Sequence, residues 1–77
     1  MIKNEQIAGS VSQVLQDACK RLGDSILQVN ATCSEAESAI YRHKIGDVFY
    51  ILAFGILEPL YEEHPQLKPP DWDDREA

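Results

Sequence analysis

The longest apolar stretch of the chain spans residues 48–57, between Asp47 and Glu58. It carries no charged side chain, so a helix formed there is apolar around its whole circumference. Exposing any side of such a helix to water costs transfer free energy, which favours burial on every side. A membrane-spanning helix needs about 20 apolar residues. The stretch therefore predicts a helix buried within protein, not one that crosses a bilayer.

The N-terminal part of the chain carries a single apolar stripe with helical spacing. Asn4 is a suitable N-cap residue, and the acidic Glu5 follows in the first turn. The apolar residues that recur every three or four positions are Ile7, Val11, Val14, Leu15, Ala18, Leu22, Ile26 and Val29. This pattern predicts a helix over about residues 4–30. Gly23 is a candidate break, because glycine costs about 1 kcal/mol in a helix, but the stripe continues beyond it and favours one helix.

A turn is predicted after this helix, close to residue 32. Thr32 and Glu35 have the spacing of a capping box, and so do Ser34 and Glu37. In a capping box, the hydroxyl and carboxylate groups satisfy two free backbone N–H groups at the start of a helix. The second helix is therefore expected to begin near Ser34.

The second helix is expected over about residues 34–63, and two features can disturb it. Gly46 is a candidate break. Pro59 lies four residues after Gly55, and a helical proline removes the hydrogen bond to the carbonyl four residues earlier and clashes with it. This spacing predicts a kink between Gly55 and Pro59.

The second helix carries two apolar stripes, whereas the first helix carries one. One stripe comprises Ala36, Ala39, Ile40, Tyr50, Ala53, Phe54, Leu57 and Tyr61. The other comprises Tyr41, Ile45, Phe49, Leu52, Ile56 and Leu60. The first helix can cover only one stripe, and an uncovered apolar stripe marks an interface. We assign the interface to the second stripe and its flanking residues, which gives Ile45, Val48, Phe49, Ile51, Leu52, Ile56 and Leu60.

Residues 64–77 are rich in proline and then acidic. This composition predicts an extended, polyproline-like tail without helix. Trp72 is the single tryptophan of the chain, and tryptophan is seldom left wholly exposed. We expect Trp72 to pack on the helices; the alternative is that it anchors a partner, and it is included among the interface residues.

The predicted fold is all-α and consists of one domain, since 77 residues are too few for two. Residues 1–63 form an antiparallel helical hairpin, and residues 64–77 form the tail. We expect two copies to associate as a homodimer, so that two hairpins complete a four-helix bundle with the second helices at its centre.

The composition narrows the choice of partner and compartment. The formal net charge of −6 opposes binding to nucleic acid, which depends on clustered lysine and arginine. The sequence shows no signal peptide and no transmembrane segment, which predicts a cytoplasmic protein that does not bind membranes. Cys19 and Cys33 are the only cysteines and are too few for a zinc site, so they are interpreted as small apolar residues.

Residues with catalytic chemistry are sparse, so we predict neither enzymatic activity nor a bound cofactor or metal. His43 and His64 are the usual general-base candidates, and neither has a nucleophile at a fixed spacing. The function expected is that of a non-catalytic, cytoplasmic protein–protein interaction module, such as an adaptor, an inhibitor or a secretion-chaperone-like factor. The alternative is a bundle that binds a small ligand or metal through His43, Asp47 and Asp17.

Overall fold

The computed structural model describes residues 1–70 and Trp72, and every regular element in this part of the chain is helical. Helix α1 spans Glu5–Thr32, and α2 spans Glu35–Tyr50. A π-helical segment, Ile51–Leu57, leads directly into α3, Glu58–Glu63, and a 3₁₀ turn follows at Pro65–Leu67. The prediction of an all-α helical hairpin is confirmed. No helix in the described residues is both long enough and apolar enough to cross a membrane.

Helix α1 runs without a break through Gly23. It begins where the sequence predicts, because the side-chain oxygen of Asn4 accepts a hydrogen bond from the backbone N–H of Ile7 at 3.1 Å. It ends at Thr32, after which Cys33 is extended and its N–H still donates to the carbonyl of Val29. The continuous apolar stripe therefore outweighs the unfavourable helix propensity of the glycine.

The tight turn between α1 and α2 uses one of the two capping boxes that the sequence offers. The backbone N–H of Glu37 donates to the Ser34 hydroxyl, and the backbone N–H of Ser34 donates to the Glu37 carboxylate, both at 3.2 Å. Thr32 takes no part in a cap, since its hydroxyl donates to the carbonyl of Gln28 at 2.6 Å. The helix that starts here continues through Gly46 to Tyr50.

The π segment occupies the place where the sequence predicts a kink. The backbone N–H of Glu58 donates to the carbonyl of Ala53, five residues earlier, instead of to the carbonyl four residues earlier. Pro59 has no N–H to donate to the Gly55 carbonyl, and its ring would clash with that carbonyl in a regular α-helix. A wider turn relieves this conflict, so the helix continues into α3.

The π segment also changes which residues face the core. In α2 and the start of the π segment, the buried apolar residues are Ile45 and Leu52, seven residues apart as on an α-helix. The next buried residue, Leu57, comes five residues after Leu52, and Leu60 and Tyr61 follow. The second predicted stripe therefore faces inward before the π segment, and members of both stripes do so after it.

The tail differs from its prediction because part of it is helical. Pro65–Leu67 form a 3₁₀ turn, and the N–H of Trp72 donates to the carbonyl of Pro69 at 3.1 Å. Trp72 is buried, and its ring meets that of Tyr61 edge-on at a centroid distance of 5.1 Å. Asp71 and residues 73–77, which include the acidic end of the predicted tail, lie outside the described residues.

The hydrophobic core lies at the end of the hairpin away from the turn at Ser34, where α3 and the tail meet the start of the chain. Its buried members are Ala8, Leu52, Leu57, Leu60, Tyr61 and Trp72. Half-buried apolar residues surround them, namely Ile2, Leu15, Cys19, Leu22, Ala53 and Leu67. The core therefore combines α1, the π segment, α3 and the tail, and the tail supplies a wall that two helices alone could not provide.

Candidate interaction surface

The residues predicted to form the interface do not share one environment. Ile45, Leu52, Leu60 and Trp72 are buried within the single chain. Phe49 and Ile56 are half-buried. Val48 and Ile51, which were predicted to flank the interface, are exposed. This corrects the assignment of the second stripe to an intermolecular contact, because the buried members of that stripe already pack inside their own chain.

Part of the exposed apolar surface lies on the other sides of the same helix. We define the outer patch as Val48, Tyr50, Ile51 and Phe54, whose exposed fractions are 43%, 67%, 63% and 46%. It lies on α2 and the π segment, on the circumference left free by Ile45 and Leu52. The rings of Tyr50 and Phe54 contact each other at a centroid distance of 5.0 Å. Val48, Ile51 and Phe54 follow one another at spacings of three along the helix, and Tyr50 adjoins them through Phe54.

Gly55 extends the outer patch without adding a side chain. It is exposed, and a Cβ atom placed on it would meet only Ile51 of the same patch, at 3.7 Å. Another helix can approach the backbone closely at such a position. Gly55 thus leaves the backbone of the π segment accessible beside Ile51 and the aromatic side chains.

Charged residues border the outer patch at both ends, and their signs differ. His43 and Lys44 precede it and are exposed. Glu58, which is half-buried, and Glu62, which is exposed, follow it. Asp47 is exposed beside the patch, three residues after Lys44, where the two charges partly offset each other. The helix face therefore changes from basic to acidic along its length.

A groove lies on the side of the hairpin that the tail covers, with a volume of about 610 Å³. Its lining residues come from α1, the helix opposite and the tail, and they are Gln16, Cys19, Lys20, Phe49, Ala53, Leu57, Pro69 and Trp72. Most of these are apolar, and Lys20 supplies a positive charge. The groove has the size of a small-molecule site, but it opens widely to solvent and holds no cluster of polar groups aimed inward.

The polar groups inside the core serve to hold the chain together. The Tyr61 hydroxyl lies 2.6 Å from the Ser12 hydroxyl, and the Gln16 amide donates to both oxygens. His64 Nε2 lies 2.6 Å from the carbonyl oxygen of Ile2 and donates to it, because a carbonyl oxygen can only accept. No buried side-chain nitrogen or oxygen in the described residues lacks a hydrogen-bond partner. These groups are structural, since each one is already paired.

An ion pair at the surface joins the start of the chain to α3. The amino group of Met1 lies 3.0 Å from a carboxylate oxygen of Glu63. The hydrogen bond from this amino group lowers the pKa of the Glu63 carboxyl. The contact fixes the start of the chain against α3.

His43, Asp47 and Asp17 are not gathered into a metal-binding group within the described residues. All three side chains are exposed, and Asp17 accepts a hydrogen bond from Gln13 at 3.1 Å. Within residues 1–70 and Trp72, no group of three histidine, cysteine or acidic side chains could hold a metal ion. The guanidinium group of the neighbouring Arg42 donates hydrogen bonds to the Glu35 carboxylate at 2.8 Å and to the side-chain oxygen of Asn30 at 2.9 Å. The geometry gives the ligand-binding alternative no support.

Sequence reasoning placed Tyr50 and Phe54 in the stripe that packs against the first helix, and so missed them as surface residues. Tyr50 and Phe54 face outward because the first helix covers the stripe that contains Ile45 and Leu52. The periodicity of the sequence does not show which of the two stripes is covered, and Pro59, four residues after Gly55, indicates only the π segment. Comparison with protein-family models, curated proteins and solved structures finds no match to this chain.

Proposed function

We propose that this chain is a small, non-catalytic protein–protein interaction module that docks through the outer patch. Its role would be that of an adaptor, an inhibitor or a secretion-chaperone-like factor, and its cytoplasmic location stays a prediction from the sequence. One observation carries the proposal: four large apolar side chains adjoin one another on a single helix and are 43–67% exposed. Contiguous exposed apolar surface of this kind is typical of sites where proteins associate.

The energetic reason is the gain from covering these side chains. Fully burying one large apolar side chain contributes about 1.5–3 kcal/mol. Four half-exposed side chains can therefore contribute several kcal/mol, from which the costs of association must be subtracted. The aromatic pair adds rigid contact area, and tyrosine and phenylalanine are enriched at the centres of interfaces. A second hairpin docked on this patch would give the four-helix arrangement expected from the sequence.

The proposal is tested by comparing two serine variants of equally exposed apolar residues. Ile51→Ser changes the outer patch, whereas Leu27→Ser changes α1 at a residue that is 67% exposed. The oligomeric mass is measured by sedimentation equilibrium, and capture of proteins from the native host is measured on the immobilised chain. Circular dichroism melting verifies that both variants fold.

The expected result is that the wild-type chain associates, with itself or with a captured protein, and that Ile51→Ser loses this association while Leu27→Ser keeps it. Two outcomes contradict the proposal. One is a wild-type chain that remains a monomer and captures no protein. The other is association that Ile51→Ser leaves unchanged.

A further inference from the structure

We infer that the outer patch binds a second copy of this chain, with the two patch-bearing helices antiparallel about a twofold axis near Ile51. This inference rests on the proposed function, because it names the occupant of the same surface. It is carried by the distribution of charge along the helix. His43 and Lys44 stand at one end of the patch, and Glu58 and Glu62 stand at the other.

The charges at the two ends cannot satisfy each other within one chain. Lys44 and Glu58 are fourteen residues apart, which corresponds to about 21 Å along a helix at a rise of about 1.5 Å per residue. Neither takes part in an ion pair among the described residues, where the pairs are Met1 with Glu63 and Arg42 with Glu35. Both groups therefore remain accessible to an incoming molecule.

A second copy of the chain, docked antiparallel, places an opposite charge beside each of the two charged ends of the patch. Lys44 and Glu58 each lie seven residues from Ile51. Rotation about a twofold axis near Ile51 therefore brings Lys44 of each copy close to the level of Glu58 in the other, with a small offset because the π segment rises less per residue than the α-helix before it. Two identical pairs of opposite charge result, because the same surface is used on both copies. Parallel association would instead place lysine at the level of lysine and glutamate at the level of glutamate.

The apolar residues follow the same symmetry. Val48 and Phe54 each lie three residues from Ile51, so the smaller side chain of one copy meets the larger side chain of the other. Ile51 lies on the axis and meets its own counterpart. Asp47 and Gly55 are each four residues from Ile51, so the remaining acidic residue beside the patch meets a glycine instead of a like charge.

These features distinguish a second copy from an unrelated partner. An unrelated protein would have to supply an acidic group, an apolar surface and a basic group in the matching order. This chain supplies that order itself when its helix is reversed. The self-complementary charges also exclude the parallel arrangement, since like charges at one level destabilise an interface.

The first experiment measures the dimer dissociation constant by sedimentation equilibrium for Lys44→Glu, for Glu58→Lys and for their equimolar mixture. Each variant alone places like charges at both ends, and we expect its dimer to weaken about tenfold. The mixture restores wild-type affinity, because one end keeps the native pair and the other end carries the reversed pair. Lys20→Glu makes the same charge change on α1 and should leave the dissociation constant unaltered.

The second experiment determines the orientation by cross-linking in a chain with Cys19→Ser and Cys33→Ser. Copies with Lys44→Cys should form a disulfide with copies that carry Glu58→Cys. Two copies with Lys44→Cys should not, because their cysteines lie about 21 Å apart along the axis, beyond disulfide reach.

The outcomes separate this inference from the function on which it rests. Cross-linking between two Lys44→Cys copies, or charge variants that dimerise as well as the wild type, overturns the antiparallel dimer. A chain that stays monomeric but captures another protein through Ile51 overturns the inference and leaves the proposed function standing. A chain that stays monomeric and captures nothing overturns both.

Discussion

The two ends of the hairpin contain the same two antiparallel helical runs, yet only one end has a hydrophobic core. At the terminal end, which is the end away from the turn at Ser34, Ala8, Leu60 and Trp72 are buried among four chain segments. At the turn end, between the middle of the hairpin and the turn at Ser34, Ile45 and Ser38 are buried. Two helices in contact can bury only one strip of each other, so a third segment is required to enclose more.

The comparison extends to the buried hydrogen bonds. At the terminal end, the Tyr61 hydroxyl lies in a buried hydrogen bond with Ser12, and it also accepts from the exposed Gln16 amide. At the turn end, the Tyr41 hydroxyl lies 2.7 Å from the Ser25 hydroxyl, but both residues are half-buried. A hydrogen bond in a dry site is costly to lose, whereas water can replace one near the surface. The stability of the molecule should therefore be concentrated at the terminal end.

The largest expected difference is between two leucine truncations. Leu60→Ala removes a fully buried side chain at the terminal end, and we expect a loss of about 2–5 kcal/mol in the free energy of unfolding. Leu27→Ala removes a side chain that is 67% exposed at the turn end, and its effect should stay within about 0.5 kcal/mol. Urea unfolding measures both. Similar losses for the two variants would contradict a core confined to the terminal end.

The second difference concerns the two tyrosine hydroxyls. Tyr61→Phe removes the hydroxyl that bonds Ser12 and Gln16 in a buried site, and should cost about 1–3 kcal/mol. Tyr41→Phe removes a half-buried hydroxyl bonded to Ser25 and should cost less, because water can occupy its place. The urea midpoints of the two variants can be compared directly, since each substitution removes a single oxygen atom. A larger loss for Tyr41→Phe would show that the turn end is the better protected one.

A smaller effect of opposite sign is expected at Gly23. It lies in the middle of α1, and a Cβ atom there would have no neighbour within 4 Å. Gly23→Ala should therefore raise the free energy of unfolding by about 0.5–1 kcal/mol through helix propensity alone. At the terminal end, a Cβ on Gly9 would touch Leu67 at 3.6 Å, so Gly9→Ala should gain at least as much. A loss of stability in Gly23→Ala, measured by thermal or urea unfolding, would mean that α1 packs more tightly there than its open surroundings indicate.

The smallest effect is expected from the exposed ion pair between the Met1 amino group and Glu63. The amino group of Met1 lowers the pKa of Glu63 below its ordinary value of 4.5, so the folded state favours the charged carboxylate. The stabilisation is therefore complete above pH 4.5 and is lost as the pH falls through the lowered pKa. Glu63→Gln should be less stable than the wild type near neutral pH and equally stable in acid. Glu62→Gln serves as the control, and a Glu63→Gln difference that does not depend on pH would argue against the ion pair.

Much of the fold follows from local patterns in the sequence. The apolar stripe from Ile7 to Val29 predicts α1, and the capping box of Ser34 and Glu37 predicts the start of α2. Both elements can be predicted from the sequence because caps and helical periodicity involve residues within a few positions of one another. The outer patch was only half predicted: Val48 and Ile51 were named as flanking residues, and Tyr50 and Phe54 were assigned to the inner side.

The sequence alone determined that the second helix has more apolar sides than the first helix can cover. It could not determine which side the first helix covers, because that choice depends on contacts between distant parts of the chain. The π segment rotates the residues from Leu57 onward relative to Ile45, and the tail brings Trp72 against Tyr61 to close the core. Only the tertiary structure therefore decided that Leu52 and Leu60 lie inside and that Tyr50 and Phe54 face outward. The physical reason is that a helical period read along one segment gives its apolar stripes but not the distant segment that covers one of them. The five-residue spacing of the π segment then adds Leu57 and Tyr61 of the other stripe to the buried side.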